Sequence, residues 1–307
     1  MAIYAFDGTM NRDYDKDGMD SNVLKFFNAY RDGCQDDVAR DRCFYVSGVG
    51  TRLGFIGKFF GSVFGAGGQQ RIEEAMEKLQ KNFNAGDEII DIIGFSRGSA
   101  LALEFANTVY DEGVDKNGSR VKPEIRFIGI WDTVASFGLP GNNVNLGYNL
   151  HVPPNADRTY HAIALDERRQ SFPVTHVIAD ALDGRNDRHV FEVWFRGFHS
   201  DVGGGNNNEG LSSIALDWMF RRAADCGIGI PTDHVAKHRN LMNPDADREK
   251  PGMDLIANRK RAIRPHDVVH YSVTARTGGG QWPYNNPPKG LKVVGDDGEI
   301  LALGFGE

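Results

Sequence analysis

Cysteine is scarce. The chain holds three, Cys34, Cys43 and Cys226, in 307 residues and with no C-x-x-C spacing. A set so odd and sparse argues against a disulfide framework and against a cysteine zinc site, and it reads as reduced, partly buried thiols. Long apolar runs are missing as well: none approaches the roughly 20 residues needed to cross a bilayer. The opening residues, Met1-Ala2-Ile3-Tyr4-Ala5-Phe6-Asp7, lack a basic stretch followed by a long apolar one, so no secretory signal is read there. Positive charge is not in excess either. The formal net charge is -7, so no basic surface is offered to a polyanion and nucleic acid is not expected as a partner. What is present, 40% hydrophobic and 25% charged residues, suffices for one large core, and residues 1–307 are expected to form a single α/β domain with insertions.

Short apolar runs alternate with amphipathic stretches through the first half, which predicts β-α-β units and a mainly parallel sheet. Strands are expected at Ile3 to Phe6, Cys43 to Ser47, Ile89 to Phe95, Ile125 to Trp131 and Val190 to Phe195. Helices are expected at Ser21 to Tyr30, capped by Ser21 or Asn22, at Gln70 to Phe83, at Ala100 to Tyr110 and at Leu211 to Cys226. Residues 136–188 mix Gly, Asn, Pro and Asp, with a short helix near Ala162 to Arg169, and are expected to be an insertion or cap over a site. Residues 231–307 read as a polar C-terminal extension packed on the domain, with one late strand at Val268 to Val273.

Gly94-Phe95-Ser96-Arg97-Gly98 fits G-x-S-x-G, a weak pattern by itself. Its setting is informative, because an apolar strand precedes it and a helix follows, as a nucleophile elbow requires. The two glycines remove side chains where the turn is sharp, and Ser96 falls at a helix N-terminus, where backbone N–H groups favour developing negative charge. Ser96 is therefore the candidate nucleophile and the Arg97 amide the candidate oxyanion donor. The alternative is a serine that merely caps a helix. An elbow of this kind predicts an α/β-hydrolase-like fold, a mainly parallel sheet with helices on both faces and an insertion or cap.

A serine hydroxyl needs a base, and the base an orienting carboxylate, both at carboxyl ends of strands. Asp132 ends the strand after the elbow helix, and His199 lies just past the strand Val190 to Phe195, in Gly197-Phe198-His199-Ser200-Asp201-Val202-Gly203-Gly204-Gly205. Asp201 and Asp166 are the alternative acids, and His266 and His270, flanking the last strand, the alternative bases. Phe6-Asp7-Gly8-Thr9 is expected to support the site, with the Gly8 or Thr9 amide as second oxyanion donor. The same letters occur in haloacid-dehalogenase phosphatases, but the nucleophilic aspartate of that chemistry would fall on Ala5, which disables the route.

Two further motifs are weighed. Asp13-Tyr14-Asp15-Lys16-Asp17-Gly18 opens like a calcium loop, but position twelve is Leu24 rather than a bidentate Glu, so a solvated acidic turn is the better reading and no metal is assigned. The segment Gly54 to Gly68 carries four phenylalanines and is too glycine-rich for an ordinary core helix; an apolar flap beside an acyl-chain site, a lipid-touching surface and a buried loop all fit that composition.

Taken together these residues resemble the α/β-hydrolase domain of type VI secretion phospholipase effectors and their uncharacterised relatives. The resemblance runs through Phe6-Asp7-Gly8-Thr9 with Asn11, Gly48-Val49-Gly50-Thr51, Gly94 to Gly98, Trp131-Asp132-Thr133-Val134, Ala164-Leu165-Asp166-Glu167-Arg168-Arg169 and Gly197 to Gly205. It implies a Ser-Asp-His triad, falling on Ser96, Asp132 and His199, that hydrolyses acyl esters, in the characterised effectors those of membrane glycerophospholipids, without a cofactor. It also implies a lipid or small-ester substrate, peripheral membrane contact, and secretion machinery or an immunity protein as partners. The expected location is the cytoplasm of the producing cell, with export as an effector. The better known effectors carry a large additional membrane-anchoring region that these 307 residues do not show, so ester hydrolysis is the broader expectation and phospholipid the narrower one. Two rival readings are a hydrolase of small or other acyl esters and a catalytically inactive binding module of the same fold.

Overall fold

The computed structural model describes residues 1–8, 19–48, 60–135, 148–177, 189–248, 259–277 and 285–301. Along the chain these form β1 (Ala2–Phe6), α1 (Asn22–Asp32), α2 (Asp37–Arg42), β2 (Phe44–Val46), α3 (Phe60–Asn84), β3 (Ile89–Phe95), α4 (Arg97–Glu112), β4 (Val114–Lys116), β5 (Ser119–Val121) and β6 (Glu124–Trp131). There follow β7 (Ala156–Ala164), β8 (Val190–Phe195), α5 (His199–Gly203), α6 (Glu209–Asp225), α7 (Thr232–Leu241), β9 (Val268–His270), α8 (Ser272–Ala275), β10 (Lys292–Val294) and β11 (Ile300–Leu301).

One nine-stranded sheet runs in the order β11-β10-β9-β8-β7-β6-β3-β1-β2. Every pairing in it is parallel except that of β10 with β11 at the edge. Both faces are covered, which a parallel sheet requires and which explains why its strands read as continuous apolar runs. Strand alternation sorts the side chains. Ile3, Ala5, Ile93 and Phe127 pack with α1 and α6 on one face, while Ala2, Tyr4, Phe6, Ile90, Ile92 and Ile128 pack with α3 and α4 on the other. Ser21 caps α1 by accepting the Leu24 N–H at 3.1 Å.

The α/β-hydrolase-like architecture is the expected one, but four expectations need correction. Residues 162–169 do not form a helix: Ala156–Ala164 is β7, hydrogen-bonded between β6 and β8 in the middle of the sheet. Its run of Thr, Tyr, His and Ala hid the strand, since those residues are buried by neighbours on both sides rather than by their own apolarity. The helix expected from Gln70 begins at Phe60, so the later part of the glycine-rich segment is helical, while residues 54–59 lie outside the described residues. Gly68 shows what glycine does there: a Cβ would lie 2.2 Å from the Tyr148 hydroxyl, so the small residue permits close packing. The late strand ends at His270 and turns into α8. Residues 231–307, expected as a packed-on extension, add β9, β10 and β11 to the sheet itself.

Candidate functional site

The site is built where β3, β6, β7 and β8 end. Ser96 sits between β3 and α4 with φ 59° and ψ -126°, a region costly for any residue with a side chain. The turn is pinned on both sides: the Ser96 N–H donates to the Trp131 carbonyl at 3.0 Å, and the Ser96 carbonyl accepts from Ser99 and Val134 at 3.1 and 3.2 Å. Close packing explains both glycines. A Cβ at Gly98 would meet the Phe6 carbonyl oxygen at 2.1 Å, and one at Gly94 would meet the Ser99 Cα at 2.7 Å. Glycine thus lets α4 start against the end of β1 and holds the serine in its strained position.

The hydroxyl does not cap α4. Instead Ser96 Oγ lies 2.8 Å from His199 Nε2, and His199 Nδ1 lies 2.5 Å from Asp132 Oδ2. Because the carboxylate only accepts, Nδ1 carries the proton and donates, and Nε2 is left to accept from the serine. All three residues are buried. The imidazole is the first residue of α5 and lies between the rings of Phe95 and Phe172, at centroid distances of 4.6 and 4.8 Å. Burial disfavours the imidazolium and lowers the His199 pKa, with Asp132 acting in the opposite sense.

Asp132 follows β6 with φ 39°, a second strained residue in contact with the first through the imidazole. Its Oδ1 accepts the Ala164 N–H at 2.9 Å and an Arg261 Nη1–H at 2.5 Å, and its Oδ2 accepts from Arg261 Nη2 at 3.1 Å. Burial alone would raise this carboxyl's pKa, but Arg261 and then His199 hold it well below the usual carboxylate range. Glu167, just past β7, accepts the His199 N–H at 3.2 Å and the guanidinium of Arg169 at 2.9 and 2.8 Å. Burial opposes its ionisation too, yet Arg169 leads a set of cations that bring its pKa to about 2. Arg169 in turn lies 3.8 Å over the Phe172 ring. The loop after Asp132 is held by the Thr133 N–H donating to His161 Nε2 at 3.2 Å, with His161 Nδ1 on Glu192 at 2.9 Å.

The other candidates are placed elsewhere. Asp166 is engaged by Arg196 at 2.9 Å and by the Gly197 and Asn285 N–H groups, and Asp201 accepts the Phe198 N–H at 2.9 Å and caps α5. His270 is buried against Ser272 and Asp296, and His266 is exposed. Asp7 accepts the hydroxyls of Ser21 and Tyr45, each at 2.6 Å, so it ties the end of β1 to α1 and β2. The Gly8 N–H donates to Asp7 Oδ1 at 2.6 Å and is thereby engaged, while Thr9 and the acidic stretch 13–18 lie outside the described residues. As first residue of α4, Arg97 contributes an amide for which the helix itself has no carbonyl.

Sequence reasoning missed Glu167, Arg169, Phe172 and Arg261. The first three had a signal, since a strand ending at Ala164 places Leu165 to Phe172 at the sheet's carboxyl edge. Arg261 had none beyond a basic run, Arg259-Lys260-Arg261, in a polar stretch.

A doubly covered parallel sheet with an elbow serine at its carboxyl edge defines an α/β-hydrolase-like protein. The chain belongs to the family described as the catalytic domain of Tle1-like phospholipase effectors of the type VI secretion system, whose sequence model matches residues 2–119 and 104–222. Solved structures similar to it include an uncharacterized protein from Pseudomonas aeruginosa, at 22% identity and a TM-score of 0.49, covering 79% of this chain and 48% of that one. Another is the Tle1 effector bound to the VgrG spike of the type VI secretion system, at 23% identity and a TM-score of 0.37, covering 68% of this chain and 51% of that one. The chain thus spans about half the length of these solved chains. No curated protein matches it.

Proposed function

We propose that this chain is a serine hydrolase that cleaves lipid esters through an acyl-enzyme. The observation that carries the reading is the unbroken hydrogen-bonded series from Ser96 Oγ through the His199 imidazole to Asp132, at 2.8 and 2.5 Å. Ser96 attacks the ester carbonyl while its proton passes to His199 Nε2. Asp132 holds the tautomer and stabilises the imidazolium, which then protonates the leaving alkoxide. Water repeats the sequence to release the fatty acid. The Arg97 amide at the start of α4 holds the tetrahedral oxyanion, a type of contact whose loss costs about 10²- to 10³-fold in rate. Gly8 can be the second donor only by giving up its bond to Asp7. No cofactor enters the sequence.

Family membership supports lipid esters, and phospholipids among them, as the substrate class, with brief contact at a membrane surface. It also supports export as an effector and a partner in the secretion machinery, with an immunity protein as the natural antagonist. The segment 165–177 serves as part of the cap, since Phe172 covers His199. Purified protein is expected to release fatty acid from mixed phosphatidylethanolamine and phosphatidylglycerol vesicles. Turnover of short-chain esters alone would favour a small-ester hydrolase, and failure to react with a fluorophosphonate would favour an inactive binding module.

A further inference from the structure

Arg261 lies beyond the residues that the family's sequence model matches, yet it reaches the centre of the site. Its buried guanidinium bridges both oxygens of Asp132, at 2.5 and 3.1 Å, and donates to the carbonyls of Ala164 and Phe172 at 2.8 and 2.9 Å. The carboxylate that faces the imidazole is therefore matched by a permanent positive charge. Glu167, the other carboxylate at His199, is matched in the same way by the fork of Arg169.

We propose that Arg261 is a positioning residue: it aims Asp132 at His199 Nδ1 and offsets its charge, so that the imidazole stays a neutral base at mildly acidic pH. The inference rests on the triad reading above. A bare buried carboxylate in contact with an imidazole stabilises the protonated ring strongly and would leave His199 unable to accept the serine proton near pH 6. A guanidinium on the far side of that carboxylate weakens the attraction and repels the imidazolium.

The charged groups acting on His199 from its neighbours are Asp132 after β6 and Glu167 and Arg169 after β7, with Arg261 from the C-terminal stretch reaching it through Asp132. Asp201, on α5 itself, is turned to the Phe198 N–H. Within this set Arg261 is the cation on Asp132.

The test compares Arg261→Met, which removes the charge, with Arg261→Lys, which keeps it but loses the fork. The acid limb of kcat/KM is expected to move up by about one pH unit in Arg261→Met and by less than about 0.3 unit in Arg261→Lys. In both, kcat is expected to fall about ten- to a hundredfold, because the carboxylate is no longer aimed. The His199 titration, followed by NMR of ¹³Cε1-labelled histidine in the Ser96→Ala background, is expected to move upward by the same unit when Arg261→Met is added. This second reading needs no turnover. An unmoved titration in the folded double variant overturns the proposal and leaves Arg261 a strut for residues 164–172. A shift of about one unit between the wild type and Arg261→Lys overturns the charge argument too, and this comparison stands even if Arg261→Met does not fold. Failure of the triad reading shows separately, as wild-type protein that carries no fluorophosphonate on Ser96.

Discussion

The two sides of the site are constructed in opposite ways. The nucleophile side is local: five consecutive residues, Gly94 to Gly98, place Ser96 by backbone strain and by two glycines wedged against neighbouring main chain. The base side is gathered from distant segments, with Asp132 from β6, Glu167 and Phe172 after β7, His199 after β8 and Arg261 near the C-terminal end. Apart from the strained Asp132, its order depends on buried charge pairs. Under the proposed mechanism the first side stores strain for chemistry, and it is expected to give up little stability when the Ser96 side chain is removed. The second couples catalysis to folding, since deleting one charge leaves its partner buried and uncompensated.

The sharpest break of this contrast is Ser96→Ala, expected to lower ester hydrolysis by about 10⁴-fold or more while thermal unfolding stays nearly unchanged. Asp132→Asn is expected to lower the rate by a similar factor of about 10⁴ through the wrong tautomer. It should also cost about 3–5 kcal/mol in urea unfolding, because Arg261 loses its counter-charge. Equal stability of these two variants would erase the difference between the sides.

Gly98→Ala tests the wedge. With the new Cβ forced toward the Phe6 carbonyl oxygen, a loss of about 2 kcal/mol or more is expected, read from the denaturation midpoint. On the base side, burial lowers the His199 pKa, and the ring must be neutral to accept a proton. The acid limb of kcat/KM is therefore expected below the ordinary histidine value of about 6.5, with activity lost as pH falls through it and not as pH rises. The smallest change in stability belongs to Ser96→Gly, expected to gain about 0.5–1 kcal/mol by relieving the positive φ while abolishing hydrolysis.

Legibility in the sequence follows the same division. The strand Ile89–Phe95 and the elbow stand out because each element's character is set by its own residues. Asp132 and His199 could be nominated because each follows a strand that its own apolarity identifies, β6 and β8. β7 is different: Arg158, Thr159, Tyr160 and His161 form a central strand through the neighbours that bury them, so reading it as non-strand hides the place of Glu167 and Arg169 beside His199. Arg261 depends on how the last third of the chain returns to the sheet through β9, a long-range pairing that no local pattern encodes. The partners of Asp7, expected to support the site, are hidden for a related reason: its carboxylate accepts from Ser21 and Tyr45, which only the fold brings to it.

The most direct measurement is mass-spectrometric mapping of a fluorophosphonate adduct. The account predicts a single labelled serine, Ser96, in wild-type protein, with labelling absent in Ser96→Ala and slowed by several orders of magnitude in His199→Gln, both variants remaining folded. A wild-type protein that hydrolyses esters yet carries the label elsewhere, or labels Ser96 equally fast without His199, would contradict it.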